Sequence, residues 1–189
     1  MELHQLLIPI AICLIVCLIL TLIINKLKEK VLYEEIETFC NQKGLKFTKP
    51  QENRYDFSIE NDSFIMYCAI CKVPSNSSVT INSKSTWCLR FGGGKRQGRN
   101  YPNKRYLNEL KPFLNFNPSK KGDKVIYRLV IFHPSTEIIL RYMNESEIME
   151  IKPDNVSYGF KAISYSNFFK QFDELLKINK KDTTNPYNN

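Results

Sequence analysis

Apolar and polar positions change rhythm several times along the chain, and each change predicts an element. Leu6 to Ile24 is a run of 19 residues without a charge, 14 of them Leu, Ile or Val. As a helix it reaches about 28 Å, close to the roughly 30 Å hydrocarbon core of a bilayer. The run therefore reads as an uncleaved, single-pass transmembrane helix. The competing reading is a cleaved signal peptide, which needs a basic leader, a shorter apolar stretch and a small-residue cleavage site. Met1-Glu2-Leu3-His4-Gln5 is instead slightly acidic, and no Ala-x-Ala follows. Lys26, Lys28 and Lys30 come directly after the run, so the positive-inside rule puts the C-terminal domain in the cytoplasm.

Beyond the run, Leu32, Ile36, Phe39 and Cys40 recur at helical spacing between Glu34, Glu35 and Glu37, and Gly44 is a natural stop. Tyr55 to Glu60 alternates with period two, Asn61-Asp62-Ser63 turns, and Phe64 to Val73 returns, which predicts two strands joined tightly. Ser77–Ile81 and Thr86–Phe91 read as further strands. Pro102 opens a predicted helix with Tyr106, Leu107, Leu110 and Leu114 on one face, kinked or shortened at Pro112. Lys124 to Phe132 is almost continuously apolar, as in a strand buried on both faces. Ser135 is placed to cap a short helix through Met143. Phe160–Tyr165 reads as a strand after a Tyr158-Gly159 turn, and Ser166 as the cap of a final helix burying Phe168, Phe169, Phe172, Leu175 and Leu176.

The expected architecture is thus α/β (α+β): a transmembrane helix followed by one mixed-sheet domain of order αβββαβαβα. Its divisions are an external tail at 1–5, the span at 6–24, a juxtamembrane helical stalk at 25–44, the folded domain at 45–178 and a disordered tail at 179–189. About 160 residues after the span suffice for one domain with a real core, and are too few for two ordinary ones.

Charge changes this picture. Residues 82–128 hold twelve Lys or Arg against two acids, while 26–81 hold eight of each and 129–189 hold seven against eight. One segment therefore accounts for the formal net charge of +8. Its centre interleaves base, glycine and aromatic: Arg90, Lys95, Arg96, Arg99, Tyr101, Lys104, Arg105 and Tyr106. Such a surface suits phosphate, as in a nucleic acid, or the headgroups of anionic lipid. The glycines at 92–94 are not a P-loop, because no Gly-Lys-Ser/Thr follows the required spacer.

Four cysteines lie beyond the apolar run: Cys40, Cys68, Cys71 and Cys88. That number suits a reducing compartment better than a disulfide framework. A zinc site from Cys68, Cys71 and Cys88 with Cys40 or His133 meets a geometric objection, since residues three apart on a strand point to opposite faces. His4 and His133 belong to no hydrolase-like triad pattern.

An acid near the first predicted hairpin, Asp62 or Asp56, followed on the next strand by Ile70-Cys71-Lys72, resembles the PD-(D/E)xK restriction-endonuclease-like nucleases. The resemblance covers roughly residues 31–130. It implies a nucleic-acid-binding nuclease fold in which Asp56 and Asp62 hold Mg²⁺ and Lys72 supports the charge developing at the phosphate. The family's Glu position is occupied here by Ile70. A second carboxylate is sought in Glu60, Glu34 or Glu37. The functional expectation is a membrane-anchored, nuclease-like domain that binds nucleic acid through its basic surface, with or without catalysis. The alternative is a non-enzymatic adaptor whose basic face binds anionic lipid or a protein partner.

Overall fold

The computed structural model describes residues 3–51, 54–92, 102–119, 122–136, 138–142 and 148–177, with only the backbone at 3–9 and 11. The chain divides into two units, Met1–Gly44 and Leu45–Asn189. The first is a single helix, α1 (Leu3–Gln42). It stops where Gly44 takes φ +68°, a left-handed conformation that glycine adopts at little cost. The N–H groups of Lys43 and Gly44 donate back to carbonyls of the last turn. Leu32, Ile36 and Cys40 share one face and are buried, whereas the side chains from Ile12 to Ile24 are exposed.

The expectation of a membrane span is corrected here. Among the described residues no helix is long and apolar enough to cross a membrane. Past Ile24 the same helix takes in Lys26, Lys28, Glu29 and Lys30, charges that a hydrocarbon core does not readily accommodate. The membrane localisation and the cytoplasmic placement of the C-terminal domain both rested on that span, and fall with it.

The second unit contains two five-stranded sheets rather than the single mixed sheet expected. The first has the order β1 (Lys46–Thr48), β2 (Phe57–Glu60), β3 (Phe64–Lys72), β7 (Val125–His133), β10 (Lys161–Ser164). The second has the order β6 (Asn103–Tyr106), β5 (Trp87–Phe91), β4 (Ser77–Ile81), β8 (Ile138–Tyr142), β9 (Ile148–Glu150). Both sheets are centred on a parallel pair made by the same two chain segments. β3 runs beside β7 from Phe64↔Val125 to Lys72↔His133, and β4 beside β8 from Ser78↔Ile138 to Ile81↔Arg141.

Between those pairs the two segments stay bonded. Val73 N–H donates to His133 O at 2.9 Å. Thr136 Oγ1 donates to Ser77 O at 2.9 Å, and Ser164 Oγ donates to Thr136 O at 2.8 Å while accepting from Thr136 N–H at 3.2 Å. Alternation then fills the core. Ile65, Tyr67, Ala69, Cys71 and Val73 share a buried cluster with Val79, Ile81, Trp87, Leu89, Val130 and Phe132. Each large apolar side chain so buried contributes about 1.5–3 kcal/mol.

Three expected helices take other forms. The segment after Pro102 forms β6, then a 3₁₀ turn (Asn108–Leu110) and one turn of helix, α2 (Lys111–Leu114), with Pro112 in its first turn. Leu107, Leu110, Phe113 and Leu114 are still buried, so the apolar spacing is satisfied without a continuous helix. The segment after Ser135 becomes β8, in which Ile139 and Arg141 are the buried positions of a period-two pattern. The final helix is two single turns, α3 (Tyr165–Phe168) and α4 (Phe172–Leu175), which bury Phe168, Phe172 and Leu175. The Tyr158-Gly159 turn forms as expected, with φ +53° and +80° at its two residues and Ser157 bridged to Phe160, the geometry of a type I′ turn.

Lys161, on β10, is 2 % exposed. Its ammonium donates to the carbonyls of Pro153, Asp154 and Lys177 at 3.2, 3.0 and 2.9 Å. One cation thereby anchors the loop before β10 and the chain after α4. Lys161→Met keeps the length and removes all three donors, leaving polar oxygens without their partner, so urea unfolding should show a loss of about 3 kcal/mol.

Candidate nucleic-acid interface

β5 and β6 pair antiparallel, with Arg90 opposite Lys104, Leu89 opposite Arg105 and Cys88 opposite Tyr106. β6 is an edge strand, and all four of its residues are exposed. Because successive side chains on a strand point to opposite faces, the basic residues of this hairpin divide into two groups. Leu89 and Trp87 point into the core, so Arg90, Lys104 and Tyr106 lie on the outer face. Lys104 Nζ sits 5.4 Å from the centroid of the Tyr106 ring, within cation–π range. Neither Arg90 nor Lys104 forms an ion pair with another described residue. Like charges directly opposite each other on paired strands repel, so this pair gains from a bound anion.

Arg105 belongs to the other face and is already engaged. Its Nη1 contacts Glu109 Oε1 at 2.7 Å and its Nη2 reaches the carbonyl of Lys72 at 3.5 Å. Glu109 lies in the 3₁₀ turn that follows β6, which brings its carboxylate back to Arg105. Two other bases of the segment are also committed to the fold. Lys124 Nζ pairs with Glu60 at 2.8 Å. Arg128 donates to the carbonyls of Gly159 and Phe116 and stacks 4.1 Å from the Phe160 ring centroid, and burial lowers its pKa. Lys95, Arg96, Arg99 and Tyr101 lie outside the described residues.

Of the residues singled out for metal-dependent chemistry, Asp56 lies toward the Lys72 end of β3 and Asp62 at the opposite end. Asp62 is exposed in the turn between β2 and β3, where Asn61 Oδ1 accepts from the N–H groups of Ser63 and Phe64. Lys72 ends β3. From Phe64 to Lys72 the strand rises about 26 Å, so Asp62 and Lys72 stand at opposite ends of it. Asp56 lies toward the Lys72 end, six positions before Asp62, which is about 20 Å of extended chain. Its carboxylate is occupied in accepting a hydrogen bond from Ile70 N–H. Among the described residues no group of three or more His, Cys, Asp or Glu could hold a metal ion. This leaves the expected Mg²⁺ site at Asp56 and Asp62 without a geometry to support it.

Cys40, Cys68, Cys71 and Cys88 are buried, whereas Cys13 and Cys17 are exposed. Cys71 belongs to the core cluster and Cys68 to the opposite face of β3, and all six cysteines are free. The Cys71 thiol is pushed up to about 12, by burial first and then by Glu109 and Asp56, with Arg105 opposing. Comparison with protein-family models, curated proteins and solved structures finds no match.

The Cys71 environment has a measurable consequence. Its pKa is higher folded than its ordinary value of 9.0, so its contribution to stability is complete below pH 9 and is lost as pH rises toward about 12. Urea unfolding at pH 8, 9, 10 and 11 should show an alkaline decline that Cys71→Ala makes shallower by up to about 1.4 kcal/mol per pH unit.

Proposed function

We propose that the protein binds nucleic acid by its phosphate backbone through the β5–β6 hairpin. The observation that carries this reading is the exposed, cross-strand pair of Arg90 and Lys104, with Tyr106 beside it. Two unneutralised cations facing each other on one strand pair create a local potential that an extended polyanion relieves. The chain between β5 and β6 carries Lys95, Arg96 and Arg99 in addition. The compensating acids are few, and of the two in residues 82–128 Glu109 is spent on Arg105. Phosphate contacts of this kind fix position on a strand without reading its sequence. No catalytic step is assigned, since Asp62 and Lys72 are at opposite ends of β3 and Asp56 is held by Ile70 N–H.

The test is a titration of the full chain with a single-stranded oligonucleotide between 50 and 200 mM salt. If Arg90, Lys95, Arg96, Arg99 and Lys104 each neutralise one phosphate, the log–log salt slope should be about −3.5. Arg90→Ala with Lys104→Ala should reduce it by about 1.4. A slope near zero would remove the proposal. Binding confined to vesicles of anionic lipid would assign the same cations to headgroups.

A further inference from the structure

A cavity of about 230 Å³ opens beside the cationic pair, at the end of the β5–β6 ladder. Tyr106 forms one wall, and Ser85, Thr86, Trp87, Leu107, Asn108 and Lys111 line the rest. Sites for drug-sized ligands run from about 300 to 1,000 Å³, so this volume suits a single ring system. Its frame is set by the backbone. Asn82 N–H and Ser83 N–H donate to Thr86 O at 3.0 and 3.3 Å, and Leu107 N–H donates to Trp87 O at 2.9 Å.

The lining has the chemistry of a base site. Tyr106 is 51 % exposed and offers a ring face that Lys104 polarises from 5.4 Å. The hydroxyls of Ser85 and Thr86 and the amide of Asn108 supply donors and acceptors, and Lys111 supplies a positive charge. Trp87 also lines the cavity, although it is 1 % exposed and its side chain is directed into the core. The Arg90–Lys104 pair lies two register positions from Tyr106, about 7 Å along the strands. That is the scale of one nucleotide in an extended strand.

We infer that this cavity seats one base of a single-stranded nucleic acid whose backbone lies across Arg90 and Lys104. The inference rests on the reading of the hairpin as a nucleic-acid interface and adds that the protein takes hold of an unpaired base. In a duplex the base faces are stacked on one another and closed to Tyr106, whereas in a single strand they are open to stack on an aromatic ring.

The experiment compares three probes of equal length on the full chain: a single-stranded oligonucleotide, its duplex, and an abasic deoxyribose-phosphate strand. Trp87 is the sole tryptophan, so its fluorescence reports occupancy of the cavity. The oligonucleotide should bind about tenfold more tightly than the abasic strand, the order of effect of one stacked base, and should quench Trp87 where the abasic strand does not. Tyr106→Ala should abolish that preference. Equal affinity for the two strands, or an equal loss for both in Tyr106→Ala, would overturn the base site while leaving the phosphate interface standing. A mononucleotide that binds as tightly as the strand would also overturn it, in favour of a free-nucleotide pocket. Failure of all polyanions to bind would remove the interface and the base site together.

Discussion

The fold depends on two chain segments that travel side by side through both sheets. β3 and β7 pair as parallel strands, remain joined through Val73 and His133, and pair again as β4 and β8. Parallel strands cannot be joined by a tight turn, and here β4, β5, β6, the 3₁₀ turn and α2 fill the connection from β3 to β7. The sheets share their central chain, so neither can separate without breaking hydrogen bonds in the other. Thr136 and Ser164 sit where that dependence is concentrated, since their hydroxyls close the bonds to Ser77 and across to the end of β10.

This architecture decides which basic residues are available. A segment with twelve bases looks uniform in the sequence, but period-two alternation sorts it. Arg105 turns toward Glu109, Lys124 toward Glu60 and Arg128 toward the Phe160 ring, each as part of the scaffold. Arg90 and Lys104 are left on the outer face, on strands whose pairing holds them opposite each other. The proposed interface is therefore made by the ladder rather than by the number of charges.

The strands of the core were legible in the sequence because their patterns admit one interpretation. Val125 to Phe132 is too continuously apolar for anything but a buried element, and Asn61-Asp62-Ser63 is turn chemistry between two alternating runs. The segment around Ile138 to Tyr142 was less determinate. Five residues fit either period, and it is pairing with β4, a distant contact, that makes it a strand. Tyr106 to Leu114 has true helical spacing, yet Tyr106 is exposed at a strand end, and Leu107, Leu110 and Leu114 are buried from the residue after it, a 3₁₀ turn and one helical turn. The second sheet was invisible because it arises from that same distant pairing. Asp62 and Lys72 are separated by the length of β3, since neighbours in sequence across a hairpin are not neighbours at its far end. The cavity at Tyr106 had no local signature, because its walls come from the turn before β5 and the segment after β6.

Among the described residues no strand pairs with the outer side of β6, and an open edge invites a strand from another molecule. Lys104 and Arg105 on that edge, backed by Arg90, make such an approach repulsive between copies of the same chain. A bound polyanion would cancel that repulsion. The charge proposed to recruit a ligand is thus also the guard of the sheet, and in the occupied protein the edge would have to be shielded by the ligand itself.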